Sequence, residues 1–296
     1  MKTQVFGDIR VDSITEFDFS VEPSWLFYGC DATQEGVAEH EHWLGPRLVE
    51  AGTRNLKILS HAYLIRTRHH TILFDTCCGN DKERPGYPWH RLETGFLKNL
   101  ARAGVLPEQI DFVMCSHLHY DHVGWNTRLR NGEWVPTFPN ARYLISRGEF
   151  EYWRDAIASG NATPSRKQPW NDSVLPVVDH GLATFVEDTH AIENELPDEV
   201  RFLPLYGHTP HHCGLYLRSN SQDAIFTGDA IHHPIQFARR DWVNGADHAA
   251  VRRVIGDLIA RCIDTPTKLL TAHFPSPTAG HIVSEAGQVR FRFDSE

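Results

Sequence analysis

Cys115-Ser116-His117-Leu118-His119-Tyr120-Asp121-His122-Val123-Gly124 is the stretch on which the reading of the whole chain turns. It sets three imidazoles and one carboxylate within six residues, directly after the apolar run Phe112-Val113-Met114-Cys115. Such a run reads as a buried strand. If the backbone stays extended past that strand, His117, His119 and Asp121 project to one side, because side chains alternate along it. His122 then comes from the next turn, where the chain changes direction at Gly124. One strand end can thus aim ligands at two neighbouring points. Borderline-soft divalent metals such as zinc favour imidazole nitrogen together with carboxylate oxygen. A single histidine in such a loop would read as structural; four donors at this spacing read as a metal site.

The 296 residues suit one layered domain, with hydrophobic residues at 41% and charged residues at 23%, an ordinary balance for a globular protein. No repeat of solenoid length and no low-complexity linker divides the chain, so a single domain over residues 1–296 is expected. No window approaches membrane-spanning length. The start, Met1-Lys2-Thr3-Gln4-Val5-Phe6-Gly7-Asp8, has no apolar signal core, which makes the cytoplasm the expected location. A net charge of -9 argues against a general nucleic-acid binder. Cys30, Cys77, Cys78, Cys115, Cys213 and Cys262 contain no CxxC pair, so they read as reduced thiols rather than as a zinc framework. The 19 histidines are the unusual count, and several cluster near other polar signals.

Along the chain, residues 21–55 carry Trp25, Phe27, Tyr28, His40, His42 and Trp43 without a clear period. They read as an irregular excursion with short helical turns, either clamping the core edge or forming a lid. Leu56–Thr67 and Thr71–Thr76 read as a hairpin. Asp75, at the end of its second strand, either caps a turn or orients a ligand histidine from behind. The pattern predicts a helix over Arg91–Ala103, a hairpin at Asn131-Gly132, a helix capped by Ser146, a loop over 160–173, and strands near 174–178, 183–186 and 200–205. A hairpin over 215–227, an amphipathic helix over 247–263, a strand at 268–271 and a last hairpin from Gly280 to Phe293 complete the chain.

One event recurs. An apolar strand ends, and a histidine or aspartate sits just past it: the His117–His122 cluster, His208 in Tyr206-Gly207-His208-Thr209-Pro210-His211-His212, Asp229 after Gly228, and His273 after Ala272. Strand ends at one edge of a layered fold converge, which lets scattered residues share a site.

These residues resemble the motifs of the metallo-beta-lactamase superfamily. His117 to His122 match its HxHxDH signature, and Gly207-His208-Thr209-Pro210, Gly228-Asp229 and Ala272-His273-Phe274 resemble its later motifs in order. Asp75 resembles the first. The resemblance runs from about residue 55 to the end. It implies an α/β four-layer sandwich, two facing mixed sheets flanked by helices. It also implies two divalent metal ions, zinc foremost: His117, His119 and His208 on one, Asp121, His122 and His273 on the other, and Asp229 bridging. Asp121 then carries a catalytic role, with Asp75 and His212 supporting the ligands from behind. Four positive charges, less three from Asp121, Asp229 and one hydroxide, leave a centre of +1 that favours an anionic transition state. A hydroxide bridging the metals would attack a carbonyl or phosphoryl centre.

His211 departs from the superfamily's GHTPGH-like run, where glycine is common. His211 and His212 are each a competing ligand or a residue behind one, and a place on the rim or behind a ligand is the expected one. His232 and His233 read as pocket-lining or loop residues. The C-terminal stretch Ala272–Ile282 with Val289–Phe293 looks like the methyl parathion hydrolase-like branch, with acyl-homoserine lactonases as similar relatives. That implies a small, rather apolar ester or lactone, with phosphotriester attack as a side activity. Trp25, Phe27, Trp89, Trp125, His211 and His233 are the pocket candidates, and core packing is the competing reading for each aromatic. The alternative chemistry is a mononuclear iron dioxygenase of the persulfide dioxygenase type. A small-molecule substrate and a homodimer are the expected partners, with no nucleic acid and no membrane.

Overall fold

In the computed structural model the strand that precedes the histidine stretch lies inside a seven-stranded mixed sheet. The structure describes residues 3–160, 162–192, 194–195 and 197–294. They cluster into two compact units, Thr3–Phe17 with Ser60–Leu196, and Asp18–Leu59 with Pro197–Glu296.

The first unit contains β1 (Thr3–Phe6), most of β2 (Ile9–Val21) and β3 (Leu56–Arg66), then β4 (Thr71–Phe74), β5 (Phe112–Cys115), the β6–β7 hairpin (Thr127–Arg130 and Glu133–Pro136), β8 (Arg142–Ser146) and β9 (Ala183–Val186). The sheet order is β1-β2-β3-β4-β5-β8-β9, antiparallel between β3 and β4 and parallel from β4 to β9. Its core joins Leu73, Val113, Cys115 and Ile145 of the strands to Phe96 and Leu100 of helix Phe96–Arg102 and Trp153 of helix Arg147–Ala158. Parallel register pairs Phe74 with Met114 and Cys115 with Ile145. The residues following β4 and β5 therefore emerge side by side at one sheet edge.

The second unit holds β10 (Glu199–Pro204), β11 (Cys213–Ser219), β12 (Gln222–Phe226), β13 (Lys268–Leu270), β14 (Ala279–Glu285) and β15 (Gln288–Phe293), in that spatial order. β12 and β13 are parallel, and helix His248–Cys262 lies between them in sequence. That helix buries Val251, Ile255, Leu258, Ile259 and Cys262 on one stripe, and Asp247 caps it by accepting the Ala250 N–H at 3.0 Å. Pro204 pairs with Cys213, Leu215 with Phe226, and Phe226 with Leu270. These registers bring the 205–212 loop, Asp229 and His273 to one edge of this sheet. The α/β class and the two mixed sheets are as expected from sequence, and no helix among the described residues is long and apolar enough to cross a membrane.

Several elements differ from expectation. The helix expected from Arg91 begins at Phe96, because Arg91 is left-handed (φ 51°) and the segment before it closes the 80–94 loop. Arg91 N–H donates to Lys82 O at 2.8 Å, and Thr94 N–H to Asn80 Oδ1 at 2.8 Å. Residues 174–178 are helical rather than a strand: Trp170–Val174 forms a π-turn that continues into helix Leu175–Asp179, with Pro176 in its first turn. Within the expected 160–173 loop, Pro164–Pro169 is a helix. The 21–55 excursion contains the helices Pro23–Leu26, Gln34–Ala38 and Glu41–Leu48, the last broken at Gly45. Its apolar residues Leu26, Phe27, Val37, Leu44 and Leu48 pack with Ile235 and Trp242.

The 80–94 loop is pinned by two buried cations. Lys82 Nζ donates to Thr127 Oγ1 (2.6 Å) and Asp172 O (2.9 Å) and lies 3.6 Å from the Trp134 ring centre. Arg84 grips the Asp172 carboxylate with two bonds, at 2.7 and 3.0 Å. Burial pushes Lys82 from 10.5 down to about 7, against the pull of Asp172. Between those values the folded state binds fewer protons than the unfolded chain, so this group makes stability rise with pH. Lys82→Met is expected to flatten that slope. Thermal melts at pH 7 and pH 9 should then differ less in the variant than in the wild type; an unchanged difference would contradict the assignment.

Candidate metal centre

In the first unit the donors follow β5. The β4 end supplies Asp75 in a left-handed conformation (φ 60°) that aspartate tolerates better than most residues. Its carboxylate accepts three bonds: Ser116 N–H (2.7 Å), Ser116 Oγ–H (2.8 Å) and His122 Nδ1 (2.9 Å). Because a carboxylate accepts, His122 carries its proton on Nδ1 and its Nε2 is a lone pair. Ser116 Oγ, having given its proton to Asp75, accepts from His117 Nδ1 at 3.0 Å, so His117 Nε2 is also a lone pair. That nitrogen lies 2.8 Å from His119 Nδ1. Asp121 is the more open member, with its side chain 20% exposed and Oδ2 3.7 Å from His122 Nε2.

The backbone around this half is drawn together by zipped loops. Thr76 N–H reaches His122 O (2.7 Å), Gly124 N–H reaches Cys77 O (2.7 Å), and Trp125 N–H reaches Thr76 O (2.8 Å). Behind them sits buried Glu16 of β2, accepting from Cys78 N (2.8 Å), Gly79 N (3.1 Å) and Trp125 Nε1 (2.6 Å). Burial raises its carboxyl above the usual range, opposed by these bonds. Glu16 was not singled out from sequence; a carboxylate among alternating strand residues gives no such signal.

In the second unit, His208 Nδ1 lies 3.1 Å from Asn244 O and His273 Nδ1 lies 3.1 Å from Leu59 O. Carbonyls only accept, so both rings carry the proton on Nδ1 and present Nε2 as a lone pair. Each lone pair faces the Asp229 carboxylate: His208 Nε2 at 3.0 Å from Oδ2, His273 Nε2 at 3.0 Å from Oδ1. Two lone pairs set against an anion repel unless a cation lies among them, so the donor set fits divalent metal. His212 Nδ1 is bonded to Leu205 O (2.9 Å) and its Nε2 accepts the Asp229 N–H (2.9 Å), which fixes the aspartate from behind. His232 also joins this group: its ligand atom, with those of Asp229 and His273, lies within 4.8 Å of the others. Burial pushes His232 and His233 down to about 4, so both rings are neutral.

The sequence pattern of the metallo-beta-lactamase superfamily matches residues 57–284. The chain belongs to that superfamily. The relatives and solved structures it resembles are lactonases and hydrolases. The N-acyl homoserine lactonase of Bacillus cereus is 25% identical over 198 residues, spanning 60% of this chain and 69% of that protein. Among solved structures, AidC, a dizinc quorum-quenching lactonase in complex with a product, N-hexnoyl-L-homoserine, aligns at TM-score 0.78 and 22% identity over 100% of this chain and 97% of that one. The hydrolase AbOPH of the beta lactamase superfamily aligns at TM-score 0.79 and 20% identity over 99% and 97%. The metallo-beta-lactamase fold expected from HxHxDH is the fold of this chain.

The superfamily resemblance left the pocket to be guessed, and the structure separates those candidates. Trp89 is buried and stacks on Tyr120, between two of the donors, at 5.0 Å and 13°, and on Tyr87 at 5.2 Å. Trp25 is 44% exposed. His211 is half-buried, edge-on to Tyr206 at 5.6 Å. Three candidates are committed elsewhere. Phe27 is fully buried against Trp242, and Trp125 stacks on Phe96 inside the first core. His233 is bonded through Nε2 to Leu48 O (3.0 Å) and through Nδ1 to Ile235 N–H (3.2 Å). Packing holds Phe27 and Trp125, and main-chain bonds hold His233.

Removing the carboxylate behind a ligand histidine characteristically lowers metal affinity about 10- to 100-fold. Asp75→Ala is expected to show that loss in a zinc competition titration, because His122 Nδ1–H and both Ser116 donors lose their acceptor. Wild-type affinity in the variant would refute the orienting role.

Proposed function

We propose that this protein is a dinuclear metal-dependent hydrolase that opens a small, rather apolar lactone or ester. The observation carrying the reading is the pair of imidazoles, His208 and His273, whose tautomers are set by carbonyls so that lone pairs face the Asp229 carboxylate. The family's ligand order supports the rest of the assignment. By that order His117, His119 and His208 would hold one ion, Asp121, His122 and His273 would hold the other, and Asp229 would serve both. Zinc is the first ion to load, since AidC is described as dizinc.

Bound divalent cations would polarise the substrate oxygen and bring the pKa of water from about 16 toward 7. The chain's own residues do the remaining work. Asp75 and Ser116 hold His122 and His117 in their ligating tautomers, and His212 holds the Asp229 backbone. Asp121, the more exposed carboxylate, would take a proton from the attacking water and pass it to the oxygen that leaves as the ester C–O bond breaks. Tyr120, half-buried and backed by the stacked ring of Trp89, offers an aromatic surface to an apolar acyl group. N-acyl homoserine lactones are the first substrates to try, because that activity names the Bacillus cereus relative. The lactonase and hydrolase neighbours do not favour the iron dioxygenase alternative.

Elemental mass spectrometry of purified protein, alongside turnover of an N-acyl homoserine lactone, an aryl ester and a phosphotriester, tests the proposal. About two equivalents of divalent metal with chelator-sensitive hydrolysis are expected. About one equivalent of iron with no hydrolysis would overturn it.

A further inference from the structure

Three imidazoles crowd the Asp229 carboxylate, and two of them have already given their N–H groups to main-chain carbonyls. His208 donates to Asn244 O and His273 to Leu59 O. The third, His232, has Nε2 at 3.2 Å from Asp229 Oδ2, while its buried Nδ1 has no hydrogen-bond partner among the described residues. A neutral imidazole carries one N–H. On Nδ1 that proton would be buried without an acceptor, and the Nε2 lone pair would face an anionic oxygen. On Nε2 it meets the carboxylate, and only an acceptor is left over, which is the cheaper arrangement. We infer that His232 is a positioning residue: it donates Nε2–H to Asp229 Oδ2 and sets the angle at which that carboxylate meets the metals. The inference rests on the dinuclear reading above and adds to it a residue outside the seven expected ligands.

The local structure holds the ring in place for this. His232 packs parallel to His273 at 5.5 Å and 18°, and lies 5.1 Å from His208. Its backbone N–H and that of His233 both donate to Gln236 Oε1, at 2.6 and 3.1 Å. Gln236 in turn donates to Trp242 O at 3.0 Å. All of these groups are buried. The His232-His233-Pro234-Ile235-Gln236 segment is thus a built support whose inward-facing product is one N–H aimed at Asp229. A second consequence concerns Asp229 itself. With Oδ2 accepting the His232 N–H, the carboxylate would be restrained from swinging about its side-chain bond.

Metal-free protein, reloaded with zinc in competition with a chromophoric chelator, tests this in wild type, His232→Phe and His232→Gln. His232→Phe keeps a flat ring without a donor and is expected to weaken zinc about 10- to 100-fold. His232→Gln retains an N–H and should recover most of that loss. Wild-type affinity in His232→Phe would overturn the inference, as would a His232→Gln no tighter than His232→Phe. The tautomer gives a readout that does not depend on a substituted protein being well folded. Long-range proton–nitrogen correlation on the zinc-loaded wild type should place the His232 proton on Nε2, and a proton on Nδ1 would overturn the role. A wild-type protein that bound no divalent metal would instead sink the dinuclear reading itself. Two ions in wild type with an indifferent His232→Phe would sink only the positioning role.

Discussion

Asp229→Ala is expected to lose metal and hydrolysis together while the fold survives. Both carboxylate oxygens face imidazole nitrogens, Oδ2 at 3.0 Å from His208 and Oδ1 at 3.0 Å from His273. In the proposed dinuclear centre, removing the carboxylate would take away the group shared by the ions and the anion that offsets their charge. If the metals supply several kcal/mol of transition-state stabilisation, kcat/KM should fall by about a thousandfold or more. The metal-free variant should melt close to the metal-free wild type, because the unpaired His232 N–H opposes a gain from losing the buried charge. A buried carboxylate set against two lone pairs is a liability without a cation, and alanine removes it. The two proteins should then separate on adding zinc, which stabilises the wild type through binding and leaves the variant nearly unmoved. Calorimetric melts with and without zinc, beside kinetics, check both halves. Full activity or full metal content in the variant would break the bridging assignment.

Gly124→Ala should be the most damaging small substitution for the fold. A Cβ at Gly124 would lie 1.8 Å from Cys78 O and 2.0 Å from Cys78 C, both main-chain atoms. No rotamer relieves that contact, so the 76–79 and 122–125 loops would have to part. Their separation breaks the bonds from Gly124 N–H to Cys77 O and from Trp125 N–H to Thr76 O. A loss of about 3 kcal/mol or more is expected, at the upper end for overpacking. Gly256→Ala is the matched control: it lies in helix His248–Cys262 with nothing within 4 Å of its added Cβ. Alanine there should stabilise by about 1 kcal/mol, from helix propensity. Chemical denaturation of both variants decides the matter, and a Gly124→Ala protein as stable as wild type would refute the close approach.

Much of the fold was legible because its signals are local. Asn131-Gly132 sits in a hairpin with φ of 52° and 85°, the left-handed pair that such a turn requires. Ser146 accepts the Glu149 N–H at 3.1 Å as a helix cap, and the stripe in His248–Cys262 faces its core. The misreadings occur where an apolar run is short. Val174 to Val178 is too short a continuous apolar run to separate strand from helix, and Pro176 in the first turn is the informative residue. Arg91 to Gly95 carries a helical pattern that long-range bonds to Asn80 and Lys82 override. At the site, the donors could be read from sequence because their chemistry is in their side chains. The buried grip of Glu16 on Cys78 and Gly79 is a matter of tertiary placement, and no spacing announces it.

The histidines of the two units differ in what heredity can damage. His208, His212 and His273 are oriented by the main-chain oxygens of Asn244, Leu205 and Leu59. Every amino acid supplies that oxygen, so codon changes at 59, 205 or 244 leave the acceptor itself in place. His117 and His122 are oriented by the side chains of Ser116 and Asp75, which a single base change can erase. Among the groups that orient these rings, inactivating missense changes should therefore fall at 75 and 116, and positions 59, 205 and 244 should drift among residues that suit the local packing.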